Sequence, residues 1–174
     1  ASIVTGWRVL TYIGILPPMK PFHFKQFSIE QDQCAMKVTL DACVLGAYCQ
    51  VEESRRILDI GAGTWLLSLM VAQRSSAIID SVEIDEQAVH QAKSNIESSP
   101  FSNRITLHNQ SIEHFRSEKK YDTIICNPPF FSEHLKGPDP KRNQARHNDG
   151  LSFHSLLNAV KHLLEENGLA WFIL

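Results

Sequence analysis

The sequence predicts an α/β fold, a doubly wound and mostly parallel sheet, on three observations. From residue 54 onward, apolar runs of about five or six residues alternate with segments of helical periodicity. Each strand-like run is followed by a helical segment rather than a hairpin turn, which is the pattern of parallel strands joined by crossovers and covered on both faces. The first of these runs opens directly into Gly61-Ala62-Gly63. Glycines at such a strand-to-helix turn let backbone approach a ligand at the carboxyl end of the sheet.

The elements follow in order. Residues 1–21, ASIVTGWRVLTYIGILPPMKP, are apolar and aromatic but are interrupted by Gly14 and end in Pro17, Pro18 and Pro21. No small-residue cleavage site follows, so they read as an N-terminal arm with no assigned chemistry rather than an export signal. Residues 22–53 form a segment ahead of the main fold. Within it, Phe22, Phe24, Phe27 and Ile29 predict a short strand or hairpin with a turn or bulge at Lys25 and Gln26. Asp41 is expected to N-cap a helix running to about Gln50.

Residues 54–174 carry the sheet. Strands are expected at 56–60, 78–84, 104–108, 121–126 and 169–174, and helices at 64–74, 86–98, 112–116 and 152–166. Ala88, Val89, Ala92 and Ile96 make one face of the second helix, with Asp85 as its N-cap. The sequence stops inside the fifth strand with nothing to cover the far edge, which reads as a truncated form of a longer domain.

Composition narrows the function. At 43% apolar and 21% charged residues, with no run approaching the 18 or more apolar residues of a membrane span, a transporter or channel is excluded. Seventeen Lys and Arg against nineteen Asp and Glu give a net charge of -2, which excludes a non-specific nucleic-acid coat and still allows a local basic patch. Cys34, Cys43, Cys49 and Cys126 contain no CxxC pair. They read as reduced thiols of a cytoplasmic protein with no structural metal. A monomer is the expected state.

The glycine turn is followed by Leu66 where a dinucleotide fingerprint has its last glycine, which argues against NAD. About twenty residues on, Glu83 ends the second strand in the run SVEID, where a carboxylate can accept both hydroxyls of a ribose. That placement suits any adenosine-containing cofactor; a purely structural tight turn is the alternative. DIGAGTWLL, from Asp59 to Leu67, together with VEID, from Val82 to Asp85, resembles the class I S-adenosylmethionine-dependent methyltransferases. The resemblance implies a Rossmann-like fold with S-adenosyl-L-methionine as cofactor. It places Asp59, Gly61 and Gly63 at the turn against the methionine portion and Glu83 at the ribose. Ser111 then stands where the family carries an acid near the adenine, able to hydrogen-bond without supplying charge; N-capping a helix from Ile112 is its other reading. Trp65 replaces the family's third glycine, so a positive φ there would be strained and a crowded cofactor would bind more weakly.

Asn127-Pro128-Pro129-Phe130 follows the apolar run YDTIIC. The prolines fix the backbone and remove two donors, so nearby carbonyls act as acceptors. The Asn127 amide oxygen and the Pro128 carbonyl can together accept both hydrogens of an exocyclic amine and leave its lone pair facing an electrophile. Phe130 offers a stacking face for a planar group. The tetrapeptide is similar to the motif of amino-methyltransferases, whose substrates include N6 of adenine, N2 of guanine and the amide of glutamine.

Residues 22–48, FHFKQFSIEQDQCAMKVTLDACVLGAY, closely resemble the start of the bacterial tRNA adenine-N6 methyltransferases that act beside the anticodon of a valine tRNA. The resemblance implies a tRNA partner and a segment that closes over the cofactor pocket, with Lys37 and Asp41 as its polar candidates. Beyond Phe130, residues 131–150 lack periodicity and carry Lys136, Lys141, Arg142 and Arg146 against Glu133, Asp139 and Asp149. Lys136, Arg142 and Arg146 are candidates for phosphates flanking an extruded adenine. A guanine or glutamine amino-methyltransferase, and a catalytically silent RNA-binding or structural domain, remain the competing readings.

Overall fold

A computed structural model describes residues 20–32, 37–128 and 151–173. Its center is a five-stranded sheet of β3 (Arg56–Ile60), β4 (Ile78–Glu83), β5 (Ile105–Asn109), β6 (Tyr121–Cys126) and β7 (Leu164–Phe172), in the order β5-β4-β3-β6-β7. Every pairing is parallel. The order reverses between β3 and β6, so the carboxyl ends of these two strands flank the switch point where open α/β sheets place their ligands.

The alternation of side chains along each strand divides the core in two. Ile57, Ile79, Ile105 and Ile125 face helices α1 (Leu40–Tyr48), α2 (Leu66–Arg74) and α3 (Glu86–Glu97), in a cluster that also holds Trp65. Leu58, Ile60, Val82, Ile124 and Cys126 face the opposite way, toward Ile112, Phe115 and helix α4 (Phe153–Leu163). Both faces are thus covered, as the near-continuous apolar strands require. On the second face, Asp80 of β4 accepts from Arg56 of β3 at 3.1 Å, pairs with His108 of β5 at 2.7 Å, and accepts from the Tyr121 hydroxyl of β6 at 2.9 Å. One carboxylate therefore ties four adjacent strands in register, with its buried charge compensated.

Ahead of the sheet, β1 (Phe22–His23) and β2 (Ser28–Ile29) form the expected hairpin, antiparallel and turning through Lys25 and Gln26. Its exit is fastened by Asn95 of α3. The amide oxygen accepts from Glu30 N at 2.9 Å and the amide nitrogen donates to Glu30 O at 2.9 Å.

Three local expectations are corrected. The N-cap of α1 is Thr39, with its hydroxyl accepting from Ala42 N, while Asp41 sits exposed in the first turn. A threonine in extended backbone one residue before the helix takes the orphan N–H that Asp41, already helical, cannot reach. Residues 112–116 make a turn closed by His114 N and Phe115 N on Ser111 O rather than a helix. So short a segment cannot offset the cost of helix nucleation, and burying Ile112 and Phe115 is sufficient to hold it.

The last helix ends at Leu163 and β7 begins at once, with a register shift between Tyr121 paired to Leu164 and Thr123 paired to Leu169. The bulge centers on Asn167-Gly168. A Cβ on Gly168 would lie 2.7 Å from Leu164 Cδ1 and 3.0 Å from Asp122 O, so a larger residue would have to push the Leu164 side chain aside and press on the Asp122 carbonyl.

Candidate active site

The carboxyl ends of β3, β4, β5 and β6 carry Gly61, Glu83, Asn109 and Asn127 respectively. The glycine turn is held to β4 by Gly61 N donating to Val82 O at 2.9 Å and Gly63 N donating to a Glu83 carboxylate oxygen at 2.8 Å. The other Glu83 oxygen accepts from Ile84 N at 2.8 Å and Asp85 N at 2.9 Å. Asn109 donates to Glu83 O at 3.0 Å, and Gln110 N does the same at 3.0 Å. Glu83 is thus fixed by three backbone donors and remains half-buried, with acceptor capacity left over.

Gly61 and Gly63 have φ of +69° and +51°, in the left-handed region. A Cβ on Gly61 would meet nothing within 4 Å. The space beside the turn is open, so the close approach that glycine permits is available to a ligand. Together with the half-buried Glu83 carboxylate, this arrangement fits the ribose and backbone-facing parts of an adenosine cofactor. Trp65 closes the turn at φ +61°, ψ 18°, the strained geometry expected of the family's third glycine position. Its side chain is fully buried in the core cluster, with the indole nitrogen lacking a hydrogen-bond partner.

Asp59 lies beneath the turn. It is fully buried, accepts from the Ser68 hydroxyl at 2.6 Å, and Ser68 in turn contacts Ser81 at 2.7 Å; the second Asp59 oxygen has no partner. Burial pushes its carboxyl up to about 7, opposed by the Ser68 hydrogen bond and assisted by the nearby Glu83 charge. The folded chain holds this proton above the usual aspartate range, where the unfolded chain has lost it, so this group's contribution to stability falls between about pH 4 and pH 7 and is level beyond. Asp59→Asn should therefore flatten the decline in denaturation free energy from pH 4 to pH 8, and an unaltered slope would contradict a protonated Asp59.

Asn127 is half-buried and Pro128 buried, directly beyond Cys126, which pairs with Ile60 of β3. Ser111 accepts from Glu113 N at 3.3 Å and so closes its turn. The Lys37 ammonium donates to Gln31 O, and Asp41 is exposed; neither bonds to the glycine turn or Glu83. Pro129, Phe130, Lys136, Arg142 and Arg146 lie outside the described residues, as do residues 1–19 and 33–36. Cys43, Cys49 and Cys126 are free thiols, and burial raises the pKa of each. Among the described residues there is no cluster able to hold a metal, and no helix is long and apolar enough to cross a membrane.

Asn95, Gln91 and Asn109 are the supporting residues that sequence reasoning missed. Asn95 is 2% exposed and also donates to Thr64 O at 3.5 Å, so it links the hairpin to the glycine turn; Gln91 pairs with Asp32. The signal for Asn95 and Gln91 was their place on the apolar face of α3, beside Ala88, Ala92 and Ile96; Asn109, at the end of β5, had none. A polar residue on that helix face has to find a partner. Asn95→Ala would strand both Glu30 backbone groups and should raise amide exchange across residues 22–32 several-fold, a change absent if the hairpin is held otherwise.

A parallel sheet of this order, with a glycine turn and a carboxylate on neighboring strand ends, defines an α/β domain of the adenosine-cofactor type. A family model described as the methyltransferase small domain matches residues 40–173, and the chain belongs to that family. It is 56% identical over 154 residues to a Dyadobacter fermentans protein named tRNA1(Val) (adenine(37)-N6)-methyltransferase, covering 88% of this chain and 64% of that protein. A Bacteroides fragilis protein of the same name is 51% identical over 150 residues, covering 84% and 63%. The chain thus spans a little under two thirds of these relatives. Among solved structures, a Thiobacillus denitrificans SAM-dependent methyltransferase in complex with S-adenosyl-L-homocysteine superposes with a TM-score of 0.57 at 16% identity, over 78% of this chain and 48% of that one. A Geobacter sulfurreducens enzyme of the same description gives 0.57 at 17%, over 79% and 51%. These likenesses bear out the expected Rossmann-like methyltransferase fold.

Proposed function

We propose that this chain is the methyl-transfer domain of an S-adenosylmethionine-dependent enzyme acting on the N6 amine of an adenine beside the anticodon of a valine tRNA. The observation that carries the reading is the placement of Asn127 and Pro128 at the carboxyl end of β6, next to the strand whose end bears the glycine turn. The names of relatives about half identical to it supply the substrate. The protein acts in the cytoplasm as a monomer in this reading.

Gly61 and Gly63 would lie along the cofactor and Glu83 would accept from its ribose. When bound, S-adenosylmethionine supplies a methyl group on a positively charged sulfur, already electrophilic. The protein's contribution is orientation. The Asn127 side-chain oxygen and the Pro128 carbonyl accept the two hydrogens of the adenine amine, which keeps its lone pair free. Burial of Pro128 and the short strand-to-proline connection hold both acceptors in place. No general base has to act first, because the amine can release its proton to solvent after the new bond forms. Phe130, the last residue of the motif, is assigned the stacking face for the flipped base.

Incubation with labeled cofactor and separated tRNA, rRNA and protein fractions tests the reading. Label in tRNA is expected, and label confined to rRNA or protein would overturn it. Glu83→Ala removes an acceptor worth roughly 1.5–3 kcal/mol per charge-assisted bond. S-adenosylhomocysteine affinity should then drop about tenfold or more by calorimetry, with tRNA affinity little changed. An unaltered dissociation constant would remove Glu83 from the site.

A further inference from the structure

We propose that the β1–β2 hairpin is a stacking platform for an unpaired base of single-stranded RNA, a second contact beyond the amine-binding motif. The inference rests on the RNA-methylating reading above, and it concerns a different surface.

Three phenylalanines in the hairpin form a ladder that leads from the core to solvent. Phe27, 6% exposed, belongs to the main core cluster. Phe24 stacks on it with ring centroids 4.7 Å apart and planes 21° apart. Phe22 follows at 5.0 Å from Phe24, tilted by 45°, and is 45% exposed. A large aromatic ring half open to water forfeits hydrophobic stabilization, yet here it is braced from behind by two rings and the core. A base placed on Phe22 would extend the ladder by one aromatic layer, and base stacking on such a ring is sequence-tolerant because every base has a π-face.

The charge around the ladder selects the partner. Residues 20–29, KPFHFKQFSI, contain Lys20 and Lys25 and no acid. Both lysines are exposed and neither is paired with an acid among the described residues. His23 is exposed between them, with Nδ1 on the Ser28 hydroxyl at 2.8 Å, which fixes the ring. An exposed ring flanked in sequence by two lysines that meet no acid among the described residues, with the exposed Glu30 as the nearest acid along the hairpin, matches a base and its flanking phosphates, and it fits an apolar protein surface poorly.

The hairpin is also fixed relative to the site. Asn95 bonds both backbone groups of Glu30 and donates to the carbonyl of Thr64 in the glycine turn. A nucleotide held on Phe22 is therefore held by an element anchored to the cofactor turn.

The test measures fluorescence anisotropy of a labeled single-stranded RNA oligonucleotide with the full chain. Stacking worth about 1–3 kcal/mol per base predicts that Phe22→Ala weakens binding by about 5- to 150-fold and Phe22→Tyr retains it. Lys20→Gln with Lys25→Gln should lower the slope of log affinity against log salt by up to about 1.4, at roughly 0.7 per phosphate contact on single strands. S-adenosylhomocysteine affinity should be unchanged in all three, which separates a surface contact from misfolding. Equal RNA affinity for Phe22→Ala and the parent overturns the platform, as does a parent chain that binds no RNA. If the parent methylates tRNA while Phe22→Ala binds RNA normally, the platform alone fails; if RNA binding depends on Phe22 but the label goes elsewhere, the function reading alone fails.

Discussion

Asn127→Ala is expected to slow single-turnover methyl transfer by about 100-fold or more, with cofactor and RNA affinity nearly unchanged. The magnitude follows from what the side chain does. It sits half-buried beyond β6 and in the proposed mechanism serves as one of two acceptors that orient the amine. Removing it leaves the glycine turn and Glu83 intact while the nucleophile loses its aim, and misplacement of about 1 Å costs about that factor. Loss of rate without loss of binding is the signature of an interaction used in the transition state. Asn127→Asp provides the contrast, because it keeps an acceptor in place and should retain more of the rate. If Asn127→Ala transferred methyl at the parent rate at saturating substrates, the amine clamp would be wrong.

Trp65→Gly should destabilize the fold by about 2–4 kcal/mol, although it restores the glycine that the turn's backbone favors. Two effects oppose each other at this position. A left-handed φ of +61° costs a non-glycine residue roughly 1–2 kcal/mol, which glycine would recover. Truncating a fully buried tryptophan costs roughly 3–5 kcal/mol in lost burial and cavity, and glycine adds up to about 1 kcal/mol of unfolded-state entropy. Burial wins. Trp65→Phe should fall closer to the parent, since it keeps most of the apolar volume and removes an indole N–H without a partner. Urea denaturation of the three proteins measures the order, and a Trp65→Gly protein more stable than the parent would show that strain dominates.

The case of Trp65 shows where sequence reasoning reaches and where it stops. That the turn needs positive φ was legible, because a family glycine position carries a conformational meaning that survives the substitution. That the indole would be buried was not, since no local pattern says which way a side chain leaves an irregular turn. The parallel sheet was legible for the opposite reason: near-continuous apolar runs such as RILDI and YDTIIC state their own burial on both faces. The absent helix at 112–116 failed on length, because two apolar residues bury equally well from a single turn. Asp41 was a plausible cap two residues too late, with Thr39 chosen by backbone geometry that spacing alone does not reveal.

In the site, Glu83 could be read from its distance to the glycines. Its three backbone donors could not, since they arise from the way β4 ends against the turn. Asp59 looked like a cofactor contact in its motif and proves to be a buried group beneath the turn, tied through Ser68 to Ser81. Nonlocal partners of this kind come from the fold, which brings together residues far apart in the chain.

The most direct measurement is nucleoside analysis of valine tRNA after incubation with the protein and S-adenosylmethionine. N6-methyladenosine is expected at the adenine beside the anticodon, formed by the parent and strongly reduced by Asn127→Ala. Methylation at a guanine N2 or at a ring nitrogen, or N6-methyladenosine formed equally by Asn127→Ala, would contradict it.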